Sequence, residues 1–228
     1  MGAWRVFGAG LLFIAAGALQ LHSQQSGSEN AATVSFALDF PASQPSHYSI
    51  SIRQDGHGTY ESSAKPSADS TDQLYESAFQ ISTATCDRIF AWARQTHYFA
   101  GNLDSGNHKL AFTGKKTLSY EDGAKKYSAS FNYSSVSPVQ QLTALFQGMG
   151  ATLEYGRTLS YSHRYQKLAL DEELQRMETQ ARNHELTEIE ALNPVLQEIF
   201  DDPSVMNVVR ARAQRLLEMG KAEATARR

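Results

Sequence analysis

Large apolar residues alternate with small or polar residues in two stretches of the chain. The first stretch is Val34, Phe36, Leu38 and Phe40, and the second is Tyr48, Ile50 and Ile52. A period of two is typical of a strand that buries one face. Further strands are predicted over residues 59–62 and 74–81, and Asp55-Gly56 supplies a turn after the second strand.

A hairpin over about residues 109–134 is the best-defined element of the pattern. Asp122-Gly123 is a strong two-residue turn signal, and taking it as the loop pairs Leu118 with Tyr127. Nearly every apolar side chain then lies on one face, and a one-residue slip would exchange the faces. The opposite, polar face carries eight candidate binding residues: Thr113, Lys115, Thr117, Ser119, Lys126, Ser128, Ser130 and Asn132.

Two stretches in the first two thirds of the chain have helical spacing. Ser82 and Thr83 are suitable N-cap residues for a helix that carries Cys86 on its apolar side. Ser137 opens a longer stretch with apolar residues three and four positions apart. This longer stretch contains Gly148, Gly150 and Gly156. These glycines either let the helix approach the sheet closely or break it into pieces.

The composition changes from about Gln166 onward, where charged residues become frequent and strand signals stop. Apolar residues form one helical stripe of Leu170, Leu174, Met177 and Ala181, and a second of Leu186, Ile189 and Leu192. Asn193 and Asp202, each followed by proline, both resemble helix starts. Gly220 is suited to end the last helix.

Together these patterns predict an α+β fold, with an antiparallel sheet that has helices packed on one face, followed by an all-α C-terminal helical part. The predicted α+β domain covers residues 32–165 and the helical part covers residues 166–221. The remaining segments are a signal peptide at 1–22, a disordered spacer at 23–31 and a disordered tail at 222–228.

The N-terminus has the pattern of a secretory signal peptide. Arg5 precedes an uncharged apolar run of about 14 residues that ends at Leu19. As a helix this run is about 21 Å long, which is short against a hydrocarbon core of about 30 Å. An uncleaved anchor and a buried helix are the alternatives. We expect cleavage between about Ala18 and Gln24, and export to the periplasm or the cell exterior.

Composition narrows the class of protein further. The chain has 228 residues and a formal net charge of −3, so a strongly basic surface for nucleic acid is not expected. Its single cysteine, Cys86, does not allow an internal disulfide or a two-cysteine metal site. After the leader, no segment is apolar enough to span a membrane, so the mature protein is expected to be soluble.

None of the candidate chemical motifs predicts a reaction, a metal or a cofactor. Residues 184–188, with the sequence HELTE, nearly match a zinc-protease helix, but Glu188 stands where the second histidine is needed. Their expected role is a solvated charged face. Cys86 is expected to be a small buried hydrophobe. The acidic run 171–173 points in several directions from a helix and is expected to favour and solubilise it.

Two segments resemble known families. Tyr48-Ser49-Ile50-Ser51-Ile52, Asp55-Gly56, Tyr60, a helix ending at Tyr98-Phe99 and the hairpin around Asp122-Gly123 look like uncharacterised exported bacterial domains, over about residues 47–150. That resemblance brings no catalytic residues with it. Asp202-Pro203-Ser204-Val205, Val209-Arg210, Ala213 and Leu216-Leu217 are similar to one HEAT-type helical repeat. An ordinary helical hairpin is the alternative, because such repeats need stacked neighbours.

The sequence therefore predicts a non-catalytic interaction or scaffold module whose partner is another envelope or secreted protein. The polar hairpin face is the expected binding surface, for a glycan, a peptide or a protein, and the helical part adds a contact surface. Tyr155, Tyr161 and Tyr165 are expected to pack the helical part onto the sheet. The alternative is a secreted or periplasmic hydrolase with a dispersed active site, which predicts polar residues converging in a deep pocket.

Overall fold

The computed structural model describes Met1 and residues 31–64, 73–107 and 109–226. The strands are β1 (Thr33–Asp39), β2 (His47–Arg53), β3 (His57–Ala64), β4 (Gln73–Gln80), β5 (Lys115–Asp122) and β6 (Lys125–Phe131). The helices are α1 (Thr83–Gln95), α2 (Ser137–Tyr165), α3 (Leu170–Arg182), α4 (Asn193–Asp201) and α5 (Asn207–Ala226). The predicted signal peptide and nearly all of the predicted spacer lie outside the described residues.

The six strands form one antiparallel sheet in the order β4-β3-β2-β1-β5-β6. Strand β1 lies between β2 and β5, and the alternation of its buried residues shows that one face is covered. Helices α1 and α2 pack against one face of the sheet, and the remaining helices follow in the chain. The predicted α+β fold with a helical C-terminal part is confirmed.

The hairpin forms with a different register from the predicted one. Leu118 pairs with Ala129, and Gly123-Ala124 is the two-residue loop. Glycine is favoured at the first position of such loops, and Gly123 has a φ of +44°. The shift moves each residue's partner by two positions, so the paired side chains stay on their predicted faces. The predicted pairing was wrong, and the predicted sorting of the two faces was right only within β5 and β6. Phe112 and Tyr133, which were predicted on the apolar face, lie outside these strands and are exposed.

The core under the sheet is rich in aromatic side chains. Phe36 of β1 stacks on Phe146 of α2, with ring centroids 5.4 Å apart, and Tyr60 of β3 is fully buried. Helix α1 is capped as predicted, because the hydroxyl of Ser82 accepts from the backbone N–H of Thr85. The fixed end of α1 places its buried residues against this core.

Helix α2 runs unbroken for 29 residues, so its glycines mark close approaches and not breaks. A Cβ on Gly150 would lie 2.8 Å from the ring of Tyr48 on the sheet. A Cβ on Gly148 would lie 2.5 Å from the hydroxyl of Thr187, in the segment after α3. The sequence left both alternatives open, and the structure selects close packing.

The C-terminal helices have an aliphatic core that includes Leu174, Leu196 and Leu216. Helix α4 starts at Asn193 as predicted, but Asp202 does not start a helix. Its carboxylate instead accepts from the backbone N–H of Ser204 at 2.9 Å and holds a turn before α5, a use of aspartate that competes with helix formation.

Two expectations about the end of the chain were wrong. Gly220 does not end α5, because it is buried inside the helix, where a Cβ would lie 3.3 Å from the backbone nitrogen of Glu190. Residues 222–226 are helical and not part of a disordered tail. Alanine and glutamate in that stretch favour a helix. No helix within the described residues has the length and hydropathy needed to cross a bilayer.

Candidate functional site

A cleft of about 850 Å³ lies between the sheet, helix α2 and helix α3. One side is formed by the loop between β1 and β2 together with Tyr48 and Tyr60 of the sheet. Helix α2 contributes Gln147, Gly150, Ala151, Glu154, Tyr155, Arg157 and Thr158. Helix α3 closes the other side with Glu173, Arg176 and Gln180. The sheet and two helices that follow it in the chain therefore meet at one concave surface.

Glu154 is the centre of the polar network in the cleft. Its Oε2 accepts from the hydroxyl of Tyr60 at 3.1 Å and from the hydroxyl of Ser62 at 3.5 Å. Its Oε1 accepts from Nε of Arg157 at 2.6 Å and from Nη2 of the same guanidinium. The side chains of Glu154 and Arg157 are 20% and 14% exposed. Sheet and helix are thus joined by a half-buried carboxylate with both oxygens occupied.

Two tyrosines keep their protons at this site. Burial raises the pKa of Tyr60, and the negative charge of Glu154 raises it further. Burial also raises the pKa of Tyr48, whose ring occupies the space opened by Gly150. Both groups therefore remain neutral phenols, and the Tyr60 hydroxyl acts as a hydrogen-bond donor and not as a base.

The α3 side of the cleft carries a second set of charges. Nη2 of Arg176 lies 2.7 Å from Glu172 and 3.5 Å from Glu173. Across from them, burial raises the pKa of Tyr155, and the charge of Glu173 adds to the effect. This side is more exposed than the Glu154 side, because the side chain of Arg176 is 56% exposed.

The charges around the cleft balance. The charged lining residues are Glu154, Arg157, Glu173 and Arg176, two of each sign, and each arginine contacts a carboxylate. Three glutamines, Gln44, Gln147 and Gln180, add groups that both donate and accept. Leu38, Pro45 and Ala151 add apolar surface. The lining therefore has no net charge and offers many neutral hydrogen-bonding groups to a ligand.

The predicted hairpin face lies on the opposite, solvent-facing side of the sheet. Thr117 and Ser130 share a hydrogen bond of 2.9 Å, and Ser119 and Ser128 share another of the same length. Lys126 forms an ion pair with Glu121 at 3.0 Å. The eight predicted residues are exposed or half-buried, and none of them lines the cleft.

Two of the eight predicted residues lie at the end of the hairpin and not within it. The side-chain oxygen of Asn132 accepts from the backbone N–H of Thr113 at 3.0 Å. Beneath them Lys116 is buried on the covered face, where its ammonium donates to the backbone oxygen of Asn132 at 2.9 Å. Burial lowers the pKa of Lys116. The polar residues here hold the start of β5 in place.

Residues 184–188 match the expected solvated charged face only in part, because His184 and Glu185 are exposed and Glu188 is buried. They form a linker after α3 and not a helix, and His184 and Glu188 have left-handed backbones with φ of +58° and +60°. Glu188 is buried, and its carboxylate accepts from the backbone N–H and the hydroxyl of Ser82, both at 3.0 Å. It therefore caps α1 and joins the helical part to the sheet. Among the described residues, no three histidine, cysteine or acidic side chains are grouped as metal ligands.

The other residues singled out from the sequence lie in the core, form an ion pair or contact another ring. Cys86 is buried as predicted, and burial raises the pKa of its thiol. Asp171 forms an ion pair with Arg212 of α5 at 2.8 Å. Tyr155 packs against the helical core, but the rings of Tyr161 and Tyr165 contact each other in a tilted arrangement, and Tyr165 is 65% exposed. The prediction that all three tyrosines join the two parts was therefore wrong for this pair.

Sequence reasoning missed the residues that form the cleft. Tyr60 follows the strand alternation and is easily taken for an ordinary core residue. Glu154 and Arg157 are three positions apart on α2, a spacing common in surface helices. The available signal was their place between apolar residues of a helix predicted to lie on the sheet.

Comparison with known proteins does not assign the chain to a family or a function. No protein-family model matches the chain, and no curated protein matches it. Both resemblances drawn from the sequence therefore stay predictions, and function is argued from the site itself.

Proposed function

We propose that the protein is an exported, non-catalytic binding module and that the cleft between the sheet and helix α3 binds a neutral saccharide. The observation that carries the proposal is the convergence of Tyr60, Glu154 and Arg157 with groups from α3 on one concave surface with no net charge. Clefts of a few hundred to about 1,000 Å³ are the usual size of small-ligand sites, and this cleft has that size.

The chemistry of the lining supports a hydroxyl-rich ligand. Each sugar hydroxyl both donates and accepts, which matches the amides of Gln147 and Gln180. The half-buried ring of Tyr155 and the side chain of Ala151 offer apolar surface for the C–H face of a sugar ring. A charged ligand would lose hydration without gaining an unpaired counter-charge, which disfavours it.

Export and a protein partner remain part of the proposal. Arg5 and the apolar run after it support export, and the signal peptide lies outside the described residues. The partner expected from the sequence is another envelope or secreted protein.

The alternative of a hydrolase receives less support. A hydrolase of this kind uses a general base or a nucleophile next to the substrate. Within the part of the chain that the structure describes, the cleft lining contains no histidine or cysteine. Its two carboxylates are both engaged, Glu154 by Tyr60 and Arg157 and Glu173 by Arg176. The groups present are suited to hold a ligand.

Saccharide binding is tested by saturation-transfer NMR and calorimetry with glucose, N-acetylglucosamine, maltose and cellobiose, and with charged glucosamine and glucuronate. We expect at least one neutral sugar to bind at least about tenfold more tightly than the charged ones, a difference of about 1.4 kcal/mol. Absence of binding by every neutral sugar, or tighter binding of a charged one, contradicts the proposal.

A steric block locates the bound sugar. Gln147 is exposed on α2 and lines the cleft, so Gln147→Trp fills the cleft without disturbing the core. We expect this change to weaken sugar binding at least about tenfold. Gln141→Trp is the matched control, because Gln141 is exposed on the same helix outside the cleft. Equal binding by both variants would show that the sugar binds elsewhere.

A further inference from the structure

The solvent-facing side of the sheet is built from rows of small side chains. The register aligns Ser128, Ser119, Ser35, Ser51 and Thr59 in one row across five strands. The neighbouring row is Ser130, Thr117, Ala37 and Ser49, followed by the acidic pair Glu61 and Glu76. Because these central side chains are short, the middle of the face has few projections.

Hydroxyl groups on this face are already paired with one another. Ser35 and Ser51 share a hydrogen bond of 2.9 Å, in addition to the Thr117–Ser130 and Ser119–Ser128 bonds. A polar group that keeps its hydrogen bond is far less costly to remove from water than an unpaired one. The centre of the face is therefore able to pack against another surface.

Unpaired charges lie on opposite sides of the central rows. Ion pairs on this side of the described structure join His47 to Asp39, both Arg53 and His57 to Asp55, and Lys126 to Glu121. Glu61 and Glu76, on the β3 and β4 side, have no such partner there, and neither has Lys115 on the β5 side. The face is acidic towards one edge and basic towards the other.

This distribution of charge is self-complementary. If two copies face each other about a twofold axis parallel to the strands, β3 of one copy lies over β5 of the other. Glu61 then lies over the other copy's Thr117. Lys115 of that copy is one row away, about 7 Å along the strand. The symmetry repeats the contact on the other side. A twofold axis that lies between the two sheets but runs perpendicular to the strands would instead bring the acidic residues of both copies together.

The size of the face is sufficient for a reversible contact. Six strands at a spacing of about 4.8 Å, each about seven residues long, cover a projected area of about 500–600 Å². Stable interfaces bury about 800 Å² of the rougher accessible surface on each partner. The scarcity of large apolar side chains among the central rows favours an association that dissociates readily.

We propose that the open face of the sheet is a self-association surface, and that its occupant is a second copy of this chain held by paired Glu61–Lys115 contacts. This inference is independent of the cleft, which opens on the other side of the sheet.

Sedimentation over a concentration series tests self-association on the full chain. The wild type is expected to shift reversibly from monomer to dimer. Lys115→Glu is expected to weaken dimerisation at least about tenfold, because it places acid against acid. Lys115→Glu combined with Glu61→Lys is expected to restore it. Lys221→Glu, an equal charge change on the exposed side of α5, is the control and is expected to leave dimerisation unchanged.

Several results would overturn the proposal. A wild type that stays monomeric at every concentration would show that the face takes another occupant or none. Dimerisation that is unaffected by Lys115→Glu would assign the contact to another surface. If the double variant dimerises as weakly as Lys115→Glu alone, Glu61 and Lys115 do not contact each other in the dimer. All variants share the rest of the chain, so association elsewhere does not imitate the expected pattern.

Discussion

The sheet part and the helical part of the molecule build their cores from different side chains. The core under the sheet contains Phe36, Tyr48, Tyr60, Phe99, Tyr120, Phe131 and Phe146. The buried core of the helical part consists of leucine, isoleucine, valine, methionine and alanine within the described residues. Helix α2 belongs to both, with Phe146 in one core and Leu159 in the other. The cleft lies where one core gives way to the other, which is why half-buried polar residues occur there.

Polar contacts join the two parts beside the shared helix. Glu188 accepts two hydrogen bonds from Ser82, and the backbone N–H of Thr187 donates to the hydroxyl of Thr152 at 3.1 Å. The linker after α3 is thereby fixed to α1 and to α2. A shared helix and a fixed linker lead us to expect that the two parts unfold together.

Core truncation in each part gives the largest expected effect. Phe146→Ala should lower the free energy of unfolding by about 3–5 kcal/mol, and Leu216→Ala by about 2–5 kcal/mol, because each leaves a cavity at a fully buried position. Both variants should show one cooperative transition by circular dichroism and calorimetry. Two separate transitions, with each variant moving only one of them, would break the account of a shared helix.

Removal of the Glu188 carboxylate is expected to have the next largest effect. Glu188→Ala should lower the free energy of unfolding by about 2–3 kcal/mol, because Ser82 loses a charged acceptor at the start of α1. Glu198→Ala, at an exposed site on α4, serves as control and should change it by less than about 0.5 kcal/mol. Equal effects in urea denaturation would show that the linker contact does not stabilise the junction.

Acid sensitivity in the helical part gives the smallest expected effect. Hydrogen bonds from Lys167 and Ser204 lower the pKa of Asp202 in the folded state. A lowered pKa stabilises the fold above the unfolded-state pKa of about 4, and this contribution is lost as the pH falls through the folded-state pKa.

The acid effect is measured as melting temperature between about pH 7 and about pH 2. Asp202→Asn should make the acid side of this profile shallower. Asp201→Asn, which alters an exposed neighbour, should leave the profile unchanged. If the melting temperature of Asp202→Asn falls with pH as steeply as that of the wild type, Asp202 does not contribute to the acid sensitivity.

Strands were predictable because one face of each is buried. The alternation of Val34, Phe36 and Leu38 follows directly from that burial. Pairing was harder, since a shift by two residues keeps every side chain on its face, and Gly123-Ala124 was not recognised as the loop. The role of Glu188 was not predictable, because its partner Ser82 is 106 positions away.

The cleft was beyond sequence reasoning for the same physical reason. Tyr60 and Glu154 are 94 positions apart and meet only after α2 has packed on the sheet. Arg176 reaches the cleft only through the turn between α2 and α3. By contrast, the hairpin face was found because its residues alternate along two neighbouring strands.

Amide chemical-shift mapping with the tightest-binding neutral sugar tests the central claim most directly. The account predicts shifts at Gly150, Tyr155 and Gln180, which line the cleft, and none at Ser51 and Ser119 on the open face of the sheet. Shifts confined to Ser51, Ser119 and their neighbours, with Gly150 and Gln180 unchanged, would contradict it.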